Sequence, residues 1–153
     1  MEYPQIKRAI ETIKALHQPG TGCPWDLEQS HKSLVKYLIE ETYEFVHAVE
    51  TNDPKKMEEE IGDVLLQVLH HGEIATRTNS FDIESIAKSM ADKMIRRHPH
   101  VFEDQSLVLD VRTVKDNWDK IKAQEKSKKQ EQFFTEEDTF MPALMSADKI
   151  GAK

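Results

Sequence analysis

The 153-residue sequence predicts an all-α fold, a bundle of four or five helices. In each long segment, apolar residues recur every three or four positions, which places them on one face of a helix. No segment shows the apolar–polar alternation of a half-buried strand. Proline, glycine, asparagine and serine residues separate the segments and mark helix ends. A chain of this length is expected to form one domain with its own core.

Two helices are predicted in the first third of the chain. The first begins at Pro4, a residue that suits a helix start, and ends near the breakers at residues 19–20. Residues 19–24 contain two prolines, two glycines and a threonine and are expected to form a loop. Ser30 is a suitable N-cap for the second helix, which is expected to run to about Val49.

Three further helices follow. Asp53 can cap the third helix and Pro54 can occupy its first position, so this helix is expected from Lys55 to about Thr76. The fourth is expected from about residue 82 to residue 97, before a proline. The fifth is expected from about residue 111 to residue 126, where a polar run begins.

Composition excludes several classes of protein. A net charge of -7 argues against a nucleic-acid polymer as the main partner, because binding to a phosphate backbone requires a basic surface. The single cysteine excludes an intramolecular disulfide and fits a reducing compartment. No apolar run is long enough for a membrane span or a signal peptide. We therefore expect a cytoplasmic protein, with a domain over residues 1–126 and a polar linker and partly mobile tail over residues 127–153.

Two of the predicted helices each carry a pair of carboxylates one turn apart. Glu41 and Glu44 lie on the second helix, and Glu60 and Asp63 lie on the third. Two antiparallel helices joined by a short turn would bring the pairs together, and Gly62 would allow the helices to approach closely. Four oxygen ligands and no sulfur favour Mg²⁺ over Zn²⁺.

Glu41 is the most informative of these residues. On a helical wheel at about 100° per residue, it falls in the middle of an apolar stripe. The stripe is formed by Leu34, Leu38, Phe45 and Ala48. A carboxylate in a buried stripe is costly unless it is paired or bound to a cation. The position of Glu41 therefore favours a functional metal site over a solvated helix face.

These residues and several flanking motifs resemble the MazG nucleoside triphosphate pyrophosphohydrolases. The acidic signature EExxE spans residues 40–44, and ExxD spans residues 60–63. Similar text continues in GCPWD at 22–26, in EIGDVLLQV at 60–68, in RRHPHVF at 96–102, and around Trp118 with IK at 121–122 and EK at 125–126. The resemblance covers roughly residues 4–126.

The resemblance implies a MazG-like helical fold and a Mg²⁺-dependent enzyme, with Mn²⁺ as a possible substitute ion. Such an enzyme hydrolyses nucleoside triphosphates to the monophosphate and pyrophosphate. By similarity, the metal ligands are Glu41, Glu44, Glu60 and Asp63, and Glu40 either supports a metal ligand or orients the attacking water. The implied substrate-binding residues are Lys56, Lys93, Arg97 and Trp118. The family is typically a homodimer, with the site completed near the dimer interface.

Two other interpretations remain open at the level of sequence. The chain could be a non-catalytic helical dimerisation or regulatory module that retains a metal site. Glu44-x-x-His47 also matches half of a di-iron carboxylate pattern, although the second Glu-x-x-His motif is missing. The ending from residue 141 to residue 153 resembles the segment that joins the domains of longer family members. The sequence leaves open whether the chain is naturally short or part of a two-domain protein.

Overall fold

A computed structural model describes residues 3–103 and 109–127, and over these residues the chain is helical, without strands. The described helices are α1 (Pro4–Leu16), α2 (Pro24–Glu28), α3 (His31–Glu50), α4 (Pro54–Arg77), α5 (Ile83–Arg97), α6 (Pro99–Phe102) and α7 (Val111–Ser127). The all-α prediction is confirmed. Most of the predicted tail, from residue 128 onward, lies outside the described residues.

The described structure adds two short helices, α2 and α6, to the five long helices that the sequence predicts. Each begins at a proline directly after a break and has only five or four residues. A segment of one turn is too short to show a helical period, so periodicity alone could not reveal it. Four of the five long helices lie within one or two residues of their predicted bounds, and α1 ends at Leu16, three residues before the predicted break at residues 19–20.

The predicted caps explain where α3 and α4 begin. The Ser30 hydroxyl accepts a hydrogen bond from the Ser33 backbone N–H at 3.1 Å, and the Ser33 hydroxyl accepts one from the Ser30 N–H at 2.9 Å. The Asp53 carboxylate accepts from the backbone N–H groups of Lys55 and Lys56 at 3.1 and 3.2 Å. Since these bonds satisfy donors that a helix start leaves unpaired, they determine both boundaries.

The chain divides into two compact units, Met1–Ala91 and Asp92–Lys153. In the first unit, α3 and α4 form an antiparallel hairpin, and α1 packs on α4. The buried apolar core of this unit consists of Ile13, Leu34, Ala48, Leu69, Ile74 and Ala75. Because α4 is covered by two neighbouring helices, more of its residues are buried than of any other described helix.

Two glycines differ in whether a small residue is sterically required. A Cβ atom at Gly22 would clash with the carbonyl oxygen of Leu16, because the loop before α2 folds back on the end of α1. A Cβ atom at Gly62 would meet no atom within 4 Å in the described residues. The prediction that Gly62 allows close approach of α3 and α4 is therefore wrong for contacts within this protomer.

The long helices are amphipathic rather than uniformly apolar. Among residues 3–103 and 109–127, no helix has the length and hydropathy that crossing a membrane requires.

Candidate metal centre

The α3–α4 hairpin brings together three of the predicted acidic residues. Glu41, Glu60 and Asp63 each present a carboxylate oxygen, and these oxygens lie within 4.8 Å of one another. Oxygens bound to one Mg²⁺ at about 2.1 Å lie about 3 Å apart in octahedral geometry. Small rotations of flexible side chains would close this difference, so the donor set fits a hard divalent cation.

Burial within this cluster differs from the sequence prediction. Glu41 was expected at the centre of the apolar stripe and Glu60 at the border of its own, but Glu41 is half-buried and Glu60 is only 8% exposed. Glu60 is the more buried residue because α4 packs between α1 and α3. The apolar stripe on α3 is confirmed at Leu34 and Ala48, which are 1% and 0% exposed.

The carboxylates of the cluster repel one another. Burial raises the pKa of Glu41, and the nearby charges of Asp63 and Glu44 raise it further. Burial and the Glu44 charge likewise raise the pKa of Glu60. Glu44 itself is exposed and acts on the cluster through its charge. The centre thus holds more negative charge than its surroundings stabilise, which favours binding of protons or a cation.

Magnesium is expected to stabilise the protein more strongly as pH rises. Raised carboxyl pKa values mean that the folded protein binds more protons than the unfolded chain, so the metal-free protein loses stability as pH rises above 4.5 through the folded pKa values. Mg²⁺ is expected to bind the deprotonated carboxylates, and a ligand at 100 times its Kd adds about 2.7 kcal/mol. Thermal unfolding with and without Mg²⁺ should therefore show a larger rise in Tm at pH 8 than at pH 5. The control is NaCl at matched ionic strength, and an equal rise at both pH values would contradict the cluster as the binding site.

A groove of about 390 Å³ between α1 and α4 borders the cluster at Asp63. Asp63 and Gly62 contribute to its wall from α4, and Arg8 and Thr12 contribute from α1. The groove therefore places an open, partly apolar space directly beside one of the acidic side chains.

The remaining predicted site residues of the first unit are exposed. Glu40 lies on α3, and its charge contributes to the raised pKa of Glu41. Lys56 lies in the first turn of α4, where its backbone N–H is bound by Asp53. The structure therefore places Glu40 beside the acidic cluster and leaves the Lys56 side chain at the surface.

In the second unit, Arg97 is held by a carboxylate that the sequence prediction did not include. Its Nη2 and Nε atoms donate to Glu125 Oε2 at 2.6 and 3.1 Å. Arg96 binds the other oxygen of the same carboxylate at 3.2 and 3.3 Å. The two guanidinium groups lower the pKa of Glu125. Glu125 lies two helical turns after Trp118, so the helical period places both residues on one face of α7. The ion pair between Arg97 and Glu125 also requires contact between α5 and α7, which the period does not predict.

Trp118 contacts two residues from the end of α5. The Arg97 guanidinium lies 4.9 Å from the centre of a Trp118 ring, and the His98 ring meets Trp118 edge-on at 5.0 Å. His98 Nδ1 lies 2.7 Å from the Met94 carbonyl oxygen, to which it donates. The structure thus brings Arg97 and Trp118 together, with Lys93 one turn earlier on α5 and half-buried.

Sequence reasoning missed a second cluster of possible metal ligands in the first unit, formed by His17, Asp26 and His70. Their separation along the chain reaches 53 residues, and no spacing rule connects them. Only the packing of three helices brings them together.

Comparisons with known proteins identify relatives of this chain. Residues 29–102 match the family model described as MazG nucleotide pyrophosphohydrolase domain. The chain is 42% identical over 145 residues to the nucleoside triphosphate pyrophosphohydrolase/pyrophosphatase MazG of Thermotoga maritima, covering 95% of this chain and 54% of that protein. It is 37% identical over 147 residues to the nucleoside triphosphate pyrophosphohydrolase of Escherichia coli K12, covering 95% of this chain and 56% of that protein. The chain thus spans about half the length of these curated relatives.

A solved structure supports the same relationship. The crystal structure of a mazG-related protein from Thermotoga maritima aligns with a TM-score of 0.64 and 30% sequence identity, covering 76% of this chain and 98% of that one. Its helical fold agrees with the helices described above, and the matched family segment contains all four predicted acidic ligands. The chain belongs to the MazG family.

Proposed function

We propose that this chain is a hydrolase that converts nucleoside triphosphates to the monophosphate and pyrophosphate with the help of Mg²⁺. The observation that carries the proposal is the convergence of Glu41, Glu60 and Asp63 in a centre whose negative charge is not compensated. The names of the curated relatives support the reaction type. An all-oxygen donor set supports Mg²⁺ over Zn²⁺.

Each acidic residue has a role in the proposed reaction. Glu41, Glu60 and Asp63 hold the cation, and Glu44 binds the same cation beside Glu60. When bound, the cation stabilises negative charge on phosphate oxygens and acidifies water. Glu40 is exposed next to Glu41, where its carboxylate can orient the attacking water and accept its proton. No covalent nucleophile is needed, because phosphoryl-type transfer depends mainly on positioning and electrostatics.

We assign substrate binding to the residues that match the family motifs. Lys56 and Lys93 would neutralise charge on the triphosphate, and Arg97 would bind phosphate oxygens through its planar guanidinium. Trp118 would stack on the base or the sugar face. The contact between Arg97 and Trp118 supports a shared role, because one side chain organises the other.

We further propose that the protein is a homodimer formed through α3. Five large apolar side chains follow one face of this helix at spacings of three and four, and all are 44–60% exposed: Val35, Ile39, Tyr43, Val46 and Val49. A continuous exposed apolar stripe of this kind is typical of an interaction surface. The same helix carries Glu41 and Glu44 on a different face, so a second copy on this stripe would pack on the helix that supports the acidic centre.

One observation favours a second candidate, a non-catalytic regulatory module that retains the metal site. The Glu125 carboxylate forms an ion pair with the Arg97 guanidinium, so this cationic side chain is already paired within the chain. A module of this kind would bind Mg²⁺ and nucleotide without turnover.

Product analysis distinguishes the two candidates. Purified protein with Mg²⁺ and a panel of ribo-, deoxy- and modified nucleoside triphosphates is expected to form the monophosphate and pyrophosphate. Orthophosphate should appear only after an inorganic pyrophosphatase is added, and a chelator should stop the reaction. Direct release of orthophosphate would contradict cleavage between the α and β phosphates. Nucleotide binding without any product would favour the regulatory module.

A further inference from the structure

Three buried side chains from three helices meet at a second position in the first unit. His17 follows the last residue of α1, Asp26 lies on α2 and His70 lies on α4. They are 2%, 5% and 4% exposed, and one ligand atom of each lies within 4.8 Å of the other two. His70 follows Asp63 by seven residues, or about 10 Å along the helix. This histidine–aspartate cluster is therefore separate from the acidic centre.

The hydrogen bonds of this cluster leave an electron pair unused. His17 Nε2 and His70 Nδ1 lie 2.8 Å apart and share one proton. In the tautomer where His17 donates, the N–H at His70 Nε2 faces Asp26 Oδ1 at 3.8 Å, which is too long for a hydrogen bond. His17 Nδ1 then carries a lone pair, and this buried atom has no hydrogen-bond partner among the described residues. The cluster thus holds a buried carboxylate and two imidazoles whose facing nitrogens share one proton, and the unpartnered His17 Nδ1 points away from His70.

The surroundings of the cluster keep both imidazoles neutral. Burial lowers the pKa of both His17 and His70, so both rings are neutral near pH 7 and keep their lone pairs. Arg77 is close enough to lower the pKa of His17, but its guanidinium donates to the carbonyl oxygens of Leu27 and Gln29. A buried carboxylate next to two neutral imidazoles is a ligand set for a cation.

We propose that His17, Asp26 and His70 form a second metal site, which takes Zn²⁺ or a similar divalent transition ion. Two imidazoles and one carboxylate suit such an ion, whereas the all-oxygen centre suits Mg²⁺. Nitrogens bound to one zinc ion at about 2.0–2.1 Å lie about 3.3 Å apart. The rings therefore need to separate by about 0.5 Å, and their shared hydrogen bond is lost. The bound ion connects α1, α2 and α4 and thereby holds the loop before α2 against the end of α1.

Cobalt binding tests this site by a readout other than enzyme activity. Tag-free, chelator-treated protein is titrated with Co²⁺ in excess Mg²⁺, which occupies the all-oxygen centre. The wild type is expected to bind one Co²⁺ with the strong visible absorption of a tetrahedral site, and Zn²⁺ is expected to displace it. His17→Gln should weaken binding by at least about 10- to 100-fold. Asp26→Asn should weaken it as well, and it retains the shape of the side chain.

The second histidine pair provides a matched control. His31 Nδ1 and His71 Nδ1 are also 2.8 Å apart, but their rings are stacked at 3° and neither residue belongs to the cluster with Asp26. His31→Gln should therefore retain Co²⁺ binding, as should Glu41→Gln at the acidic centre. Circular dichroism establishes that each variant is folded, and Zn²⁺ should raise the Tm of the wild type but not that of Asp26→Asn. No tetrahedral Co²⁺ spectrum in the wild type, or an unchanged spectrum in both His17→Gln and Asp26→Asn, would overturn the proposal.

Discussion

Replacement of Glu41 by Gln is expected to lower the rate of pyrophosphate release by at least about 100-fold. Loss of an outer-shell partner alone typically costs a metal site 10- to 100-fold in affinity or activity, and Glu41 is proposed as a direct ligand. Gln keeps the size of the side chain and helps to form helices, so the fold should be retained. Steady-state assays over a range of Mg²⁺ concentrations measure the effect on both metal affinity and turnover.

Thermal unfolding separates a metal-site defect from a folding defect in this variant. Because burial and the charges of Asp63 and Glu44 raise the pKa of Glu41, removal of its charge should leave the metal-free Tm unchanged or higher at pH 8. The rise in Tm caused by Mg²⁺ should be lost. Glu58→Gln is the matched control, since Glu58 is an exposed glutamate in an early turn of α4. Full activity in Glu41→Gln, or an equal loss in Glu58→Gln, would contradict the assignment of Glu41 as a ligand.

Ile39→Glu is expected to convert the proposed homodimer to a monomer. Ile39 lies in the middle of the exposed apolar stripe on α3 and is 51% exposed. In a two-fold symmetric interface, one substitution places a carboxylate in both copies. Juxtaposed like charges cost several kcal/mol, and each 1.4 kcal/mol is a factor of ten, so the dissociation constant should rise at least about 100-fold. Sedimentation at micromolar concentration measures the change, and activity should fall in parallel if the interface completes the site.

The control for this experiment is Met90→Glu. Met90 lies on α5, is also apolar and is 52% exposed, but it is not part of the α3 stripe. This variant introduces the same charge at an equally exposed position and should remain dimeric. A wild-type protein that sediments as a monomer with full activity would defeat the dimer proposal, and a dimeric Ile39→Glu variant would place the interface elsewhere.

Most of the helical architecture could be predicted from local sequence. Ser30 and Asp53 cap α3 and α4 as expected, because capping depends on hydrogen bonds to backbone groups two or three residues away. The pairing of carboxylates on neighbouring helices could also be predicted, since a short turn forces α3 and α4 to be antiparallel. The two short helices could not be predicted from the sequence, because α2 and α6 are too short to show a helical period.

Other features depend on contacts between distant segments. Glu60 proved more buried than Glu41 because α1 covers α4, and no pattern within α4 reports what packs against it. The pairing of Arg97 with Glu125 required α5 and α7 to meet, although their helical periods were both visible. The cluster of His17, Asp26 and His70 is the strongest example, since its members lie directly after α1, on α2 and on α4.

The sequence by itself determined the helices, their caps and the acidic signature of the family. These features arise from interactions over one helical turn, so residue spacing is sufficient to predict them. The tertiary structure alone decided which carboxylates are buried, which cation is paired and where two histidines meet an aspartate. Burial and pairing depend on the neighbours that other segments supply, and the free energy of a charged or polar group depends mainly on those neighbours.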